Sequence, residues 1–258
     1  METLHIIKIG GNIIDKRQEL AAFMDEFSKL QGFKILVHGG GKSATQLAGQ
    51  LGIQQTILEG RRVTDAETLK VTVMVYAGLV NKTIVAALQS RKCHAIGLCG
   101  ADANIIQGKK RINSKTNFGF VGDIVPDGID TKVIQQMIKN ELVPVFSSII
   151  HDGEGQLLNT NADTIASSLA VAMSKQFSVH LTYCFEKKGV LSDVDNEESY
   201  LKEINLESYG ILKSMDVISK GMIPKLDNAF HALEQGVKFV RIGHAEDVFS
   251  CRYGTQLI

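Results

Sequence analysis

From its first residues the chain alternates short β-branched runs with longer amphipathic stretches, and each of the first two runs stops at a cluster of glycines. LHIIKI at 4–9 leads into Gly10-Gly11, and FKILV at 33–37 leads on to Gly39-Gly40-Gly41. Helical periodicity runs from Gln18 to Leu30 between them and from Lys42 to Leu51 after them. This is the pattern of βαβ units, so the expected fold class is α/β: an open, mostly parallel sheet sandwiched between helix layers. Ligands of such sheets gather outside the carboxyl ends of the strands, which places both glycine clusters on one crevice.

The pattern continues along the chain. Thr64-Asp65-Ala66-Glu67 reads as a helix start leading an apolar-periodic stretch to about Leu88. The glycines and short apolar runs of 104–127 predict a hairpin or loop excursion rather than core helices, and LVPVFSSII at 142–150 predicts one fully apolar strand. Asn161 is placed to cap a helix from Ala162 to about Lys175, ahead of a strand at 177–183. Helices around 205–213 and 224–235 and a strand at 237–242 complete the reading. A chain of 258 residues can form two joined lobes, and a division near 174–178 gives 1–175 and 176–258.

Several function classes drop out. The 28 basic residues balance 28 acidic ones, which gives no reason to expect nucleic acid or a membrane surface as partner. No apolar run of spanning length is evident, and METLHIIKIGG has neither the basic nor the long apolar region of a secretory signal, so a cytoplasmic protein is expected. Cys93, Cys99, Cys184 and Cys251 show no CxxC spacing and read as thiols in a reducing compartment. HExxH, GxSxG and GxGxxG are absent from the positions their chemistry requires.

Five segments carry the candidate chemistry. LVHGGGKS at 36–43 ends like a P-loop, but Leu36 occupies the position of the required first glycine. What remains is a glycine-rich strand-to-helix turn whose N–H groups can approach an anion, or a tight turn that needs no ligand. Lys8, in an otherwise apolar strand just before Gly10-Gly11, is either a solvated edge residue or a cation aimed at phosphate. Arg61 and Arg62 precede a helix start, where a guanidinium fork can hold a carboxylate or simply face water. NTNAD at 159–163 contains a helix cap with an acidic first turn, which leaves Asn159 unexplained. KGMIPKLDNA at 220–229 carries Lys220 and Lys225, and Lys225 just after Pro224 sets a cation against a helix N-terminus, unfavourable unless an anion is near.

Taken in order, IIKIGGN (6–12), VHGGGK (37–42), GRRVTD (60–65), AGLVNK (77–82), LVPVFSSI (142–149), GQLLNTNAD (155–163), KGMIPKL (220–226) and GTQLI (254–258) closely resemble the N-acetylglutamate kinases of the amino-acid kinase family. The resemblance runs from end to end and implies that family's fold. It implies an N-terminal lobe (1–175) for the acylated amino acid and dimerisation, and a C-terminal lobe (176–258) for ATP. It further implies ATP-dependent phosphorylation of the side-chain carboxylate of N-acetyl-L-glutamate, a step of arginine biosynthesis, with Mg²⁺ carried by the nucleotide. Carried over residue by residue, Lys8 and Lys225 are the phosphoryl-stabilising cations, and Asp163 organises them. Gly40, Gly41, Arg62 and Asn159 contact the N-acyl-glutamate, and Gly10 and Gly11 approach the phosphates. N-succinyl-glutamate as substrate, or a non-catalytic amino-acid or nucleotide sensor, are the alternatives.

These residue types suit that chemistry. A glutamate side chain is ionised at neutral pH and needs no general base. The obstacle is repulsion between two anions, which ammonium groups and backbone N–H donors relieve. Two departures from the family pattern stand out. LTYCFEKKGVL at 181–191 replaces a shorter strand end carrying an aspartate, so adenine and ribose contacts do not carry over, and Lys187 and Lys188 either contact nucleotide or, the preferred reading, lie in a solvated loop. The first strand begins by residue 4, which leaves no room for the extra helix of arginine-inhibited hexameric members and implies a homodimer.

Overall fold

The computed structural model describes residues 1–58, 61–112, 116–218, 222–247, 249 and 252–258, so Lys220 and Cys251 lie outside the described residues. The chain begins β1 (Thr3–Ile9), α1 (Gly11–Ile14), α2 (Arg17–Lys29), β2 (Phe33–His38) and α3 (Gly41–Gln50). A two-stranded ribbon, β3 (Ile57–Leu58) and β4 (Arg61–Arg62), precedes α4 (Ala66–Thr72), which runs through a π-helical stretch (Val73–Val80) into α5 (Asn81–Gln89). Then come β5 (Ala95–Leu98), the hairpin β6 (Ile106–Lys110) and β7 (Gly122–Ile129), α6 (Thr131–Lys139), β8 (Val143–Ser147), β9 (Ile149–His151) and β10 (Leu157–Asn159). The last part is α7 (Ala162–Ser174), β11 (Ser178–Phe185), β12 (Glu203–Ile204), α8 (Leu206–Ser214), α9 (Ile223–Glu234), β13 (Phe239–His244) and β14 (Thr255–Leu257).

Eight strands form one sheet in the order β12-β14-β13-β11-β1-β2-β8-β5, parallel except between β13 and β14. The predicted α/β sandwich is therefore present. β1 lies between β2 and β11, with Lys8 level with Val37 and Tyr183. That register brings the carboxyl ends of three strands to one edge, and the turns after β1 and β2 meet there. The sheet runs unbroken from the strands of 1–175 into those of 176–258 through the β1–β11 pairing.

Alternation along β1 explains the two cores. Leu4 and Ile6 face a cluster shared with Ile35, Val37, Ile165, Leu169 and Phe230, under α6, α7 and α9. Ile7 and Ile9 face the other side, with Leu36, Phe23, Phe27, Val75 and Ile84, under α2, the π-helical stretch and α5. A strand covered on both faces has no alternation of polarity to display, which is why its sequence reads as nearly all apolar.

Two expectations are corrected. The predicted single strand at 142–150 is two, β8 in the large sheet and β9 in a small sheet ordered β10-β9-β6-β7, separated at Ser148. Apolar content cannot show this change of sheet, because both pieces are buried. Helix 66–89 is also long and apolar enough, by length and composition, to cross a membrane, contrary to the reading that no such run exists. Here Val71, Val75, Val80, Ile84 and Leu88 pack into the core, while Met74 and Leu79 are exposed. A core helix between two apolar layers meets the same compositional test as a span.

Candidate functional site

At the carboxyl edge of the sheet lies a cleft of about 760 Å³, within the range of small-molecule sites. All nine candidate residues line it: Lys8, Gly10, Gly11, Gly40, Gly41, Arg62, Asn159, Asp163 and Lys225. The strand register and the packing of α7 beside α9 bring them together from distant parts of the chain.

Lys8 is the last charged residue of β1 and points into the cleft rather than to solvent. Its Nζ lies 2.7 Å from Asp163 Oδ1, and Lys225 Nζ donates to Asp163 Oδ2 at 2.7 Å. The three side chains are 11–14% exposed. Asn161 caps α7 by accepting from the Asp163 N–H at 2.7 Å, which fixes the first turn that carries the carboxylate. Pro224 sits at the start of α9 and places Lys225 in its first turn, over the rings of Tyr183 and Phe185 at 5.5 and 5.8 Å.

Burial acts on Asp163 to raise its pKa, but Lys8 and Lys225 together outweigh it and hold the carboxyl well below the usual carboxylate range. Burial holds the Lys225 ammonium below its ordinary value, with Asp163 opposing and Lys8 adding to the shift. One carboxylate between two ammonium groups leaves a net positive charge in a largely desolvated place. An anion in the cleft is the natural counter-charge.

The glycine turns flank this triad. Gly10 opens α1 without a side-chain cap, and Gly40 opens α3 in the same way. A Cβ on Gly40 would lie 2.8 Å from the Tyr76 ring, so the π-helical stretch and the turn approach as closely as a glycine permits. Lys42, the lysine that mimics a P-loop, donates to Asn12 Oδ1, and Ser43 Oγ donates to Asp15 Oδ1 at 2.8 Å. These contacts tie the second glycine turn to the first.

Arg62 donates to Gly41 O and Thr45 Oγ1, both at 2.9 Å, and to Gln55 Oε1, while its buried Nε lacks a hydrogen-bond partner among the described residues. Asn159 donates to Thr64 Oγ1 at 3.0 Å, and its buried Oδ1 likewise lacks one. A free donor and a free acceptor on one wall suit a ligand that carries a carboxylate and an amide N–H. Sequence reasoning missed Thr45, Tyr76 and Ser148, which complete this wall. Tyr76 immediately precedes AGLVNK, but only its packing against Gly40 marks it.

On the other side, Cys184, Phe185 and Glu186 at the end of β11 line the cleft. Burial pushes the Cys184 thiol far above its ordinary pKa, with Lys8 opposing, so it is inert as a nucleophile. Lys187 and Lys188 pair with Glu197 and Glu198, which fastens the loop after β11 to the acidic segment. Among the described residues no cluster of three or more His, Cys, Asp or Glu side chains could hold a metal ion.

His38, at the end of β2, is fully buried. Burial lowers its pKa to about 4; its bond to Gly39 opposes this and Lys82 adds to it. The native ring stays neutral while an unfolded chain takes up a proton below about pH 6.5. The stabilisation is therefore complete above pH 6.5 and is lost as pH falls toward 4, by about 3 kcal/mol. Urea unfolding of the wild type and of His38→Gln across this interval is expected to show the steeper loss in the wild type. Parallel profiles would refute it.

The profile of the amino acid kinase family matches residues 3–244. An acetylglutamate kinase of Cytophaga hutchinsonii is 51% identical over 249 residues, covering 96% of this chain and 94% of the relative. Another, of Parabacteroides distasonis, is 47% identical over 248 residues, 96% of each chain. Among solved structures, smu.665 from Streptococcus mutans UA159 superimposes with a TM-score of 0.82 at 25% identity, over 98% of both chains.

Proposed function

Since this chain belongs to the amino acid kinase family, we propose that the cleft is its phosphoryl-transfer site, with Lys8 and Lys225 as stabilising cations and Asp163 as their organiser. The reaction is ATP-dependent phosphorylation of the side-chain carboxylate of N-acetyl-L-glutamate to N-acetyl-glutamyl 5-phosphate, a step of arginine biosynthesis. The observation that carries the site assignment is the placement of both ammonium groups 2.7 Å from one carboxylate, between two glycine turns. These relatives favour neither the N-succinyl substrate nor a sensing module.

In this reading a substrate carboxylate oxygen attacks the γ-phosphorus of ATP in line, the new O–P bond forms as the bond to the β-bridging oxygen breaks, and ADP leaves. No proton has to be removed, because the carboxylate is ionised at neutral pH. Lys8 and Lys225 face the transferring group and offset the charge spread over its oxygens. Asp163 keeps both ammonium groups in place between turnovers and takes no proton, consistent with its depressed pKa. Gly10 and Gly11 approach the phosphates. Gly40 and Gly41 present backbone donors to the acyl-glutamate, Arg62 clamps its α-carboxylate, and the free Oδ1 of Asn159 accepts its amide N–H.

The donor set fits a metal carried by the nucleotide: Asp163 is engaged by two lysines and Glu186 is the other carboxylate of the cleft. Mg²⁺ would neutralise β- and γ-phosphate charge there. The proposal extends to a substrate lobe (1–175), a nucleotide lobe (176–258) and a cytoplasmic homodimer. Two large apolar side chains exposed on the 66–89 helix, Met74 and Leu79, support the dimer.

Purified protein with ATP, Mg²⁺ and N-acetyl-L-glutamate is expected to form an acyl phosphate, trapped by hydroxylamine as a hydroxamate. N-succinyl-glutamate should give a lower kcat/KM. No hydroxamate with either compound would sink the reading.

A further inference from the structure

We propose that His38, Asn81 and Lys82 are positioning residues that aim the glycine turn at the substrate, through hydrogen bonds whose directions are each fixed by the one before. The proposal rests on the reading above in taking Gly40 and Gly41 as acyl-glutamate contacts. Asn81 and Lys82 end the AGLVNK segment, and none of the roles assigned so far uses them.

The order begins at Lys82. Its ammonium has hydrogens and no lone pair, and Nζ donates to Asn81 Oδ1 at 3.1 Å and to Gly97 O at 3.0 Å. That contact assigns the oxygen end of the Asn81 amide. The other end, Nδ2, can only donate, and it does so toward Val145 O at 2.9 Å and His38 Nε2 at 3.0 Å. His38 Nε2 must therefore be the lone-pair nitrogen. The neutral ring then carries its proton on Nδ1, which donates to Gly39 O at 2.7 Å.

The last bond reaches the site. In a trans peptide the carbonyl and the next N–H point in opposite directions, so drawing Gly39 O toward the buried ring turns the Gly40 N–H away from it. Gly40 lines the cleft. A flip of this peptide would exchange an N–H for a carbonyl oxygen, which would repel an anionic substrate. His38 and Asn81 are both 0% exposed, so no water competes for these bonds. Space is reserved for them as well: a Cβ on Gly97 would overlap Asn81 Oδ1 and lie 2.7 Å from Lys82 Nζ.

Lys82 sits at the outer end of the relay and is exposed, so it can be changed without opening the core. Lys82→Met removes one of the two contacts that orient the Asn81 amide, Val145 O being the other, and is expected to raise KM for N-acetyl-L-glutamate by ~10-fold, with KM for ATP within about twofold, and Lys82→Arg should restore it. Asn81→Asp places acceptors where His38 needs a donor and is expected to raise the same KM by ~100-fold. A third measurement requires no variant: in ¹⁵N-histidine-labelled wild type at pH 7.5, the His38 ring should be the Nδ1–H tautomer. An Nε2–H ring overturns the proposal. So does a folded Lys82→Met protein with an unchanged substrate KM, or one in which both KM values move together with a drop in Tm. If the relay variants are silent while Lys8→Arg abolishes turnover, the relay is wrong and the site stands. If Lys8→Arg retains turnover, the site assignment itself has failed.

Discussion

Replacing Lys225 by arginine is expected to lower kcat by roughly 10²- to 10³-fold, the loss seen when one preorganised donor to a transition state is removed. Charge is conserved in this change, so the loss tests geometry. The ammonium sits 2.7 Å from Asp163 Oδ2 and between 5 and 6 Å from the Tyr183 and Phe185 rings, in a side chain 11% exposed. A planar guanidinium is wider and spreads its charge, and it would displace Asp163 or point past the phosphate. Lys8→Arg should behave alike, because Lys8 reaches the other oxygen of the same carboxylate from a strand fixed on both sides. Single-turnover rates with saturating ATP would separate this from weaker nucleotide binding. Near-normal turnover in either variant would remove that lysine from the mechanism.

The second large effect is expected from Asp163→Asn, and it should appear in stability as well as rate. Removing one member of a buried ionic cluster leaves the others uncompensated, at a cost of about 3–5 kcal/mol. Both lysines here would lose the one carboxylate they pair with among the described residues. The ligand-free variant should therefore unfold at lower urea than the wild type, and ATP should restore more stability to the variant, because its phosphates supply the missing negative charge. Turnover should fall by on the order of 10²-fold, since the cations would no longer be held for transfer. If Asp163 acted as a base instead, the rate would fall with pH through an ionisation. Its depressed pKa puts that ionisation below the ordinary carboxylate range, so the wild-type kcat should show no carboxylate limb above pH 5.

Much of the site was legible because its chemistry is written in local exceptions. Lys8 breaks an apolar strand, Lys225 opposes a helix dipole, and Asn159 exceeds what a helix cap requires. Each exception has a bland explanation in isolation, and the ordered family resemblance raised them above it. The residues that escaped notice carry no local exception. His38, Asn81 and Tyr76 look like ordinary members of a strand end and a helix, and their significance lies in which carbonyl or glycine they touch. The division of 142–150 between two sheets escaped for the same reason: burial on both faces erases the periodicity that would have marked it.

The sequence by itself determined most of the element types, the parallel α/β class, the glycine turns and the charged residues of the candidate site. These follow from backbone sterics and from side-chain periods of two and 3.6 residues, which are properties of neighbours along the chain. Only the tertiary structure decided that Lys8 faces inward, that one carboxylate serves both lysines, and that a buried relay ends at Gly39. Those outcomes depend on the β2-β1-β11 register and on the packing of α7 beside α9. Contacts between remote residues are fixed by how whole faces fit together, and no local pattern encodes that fit.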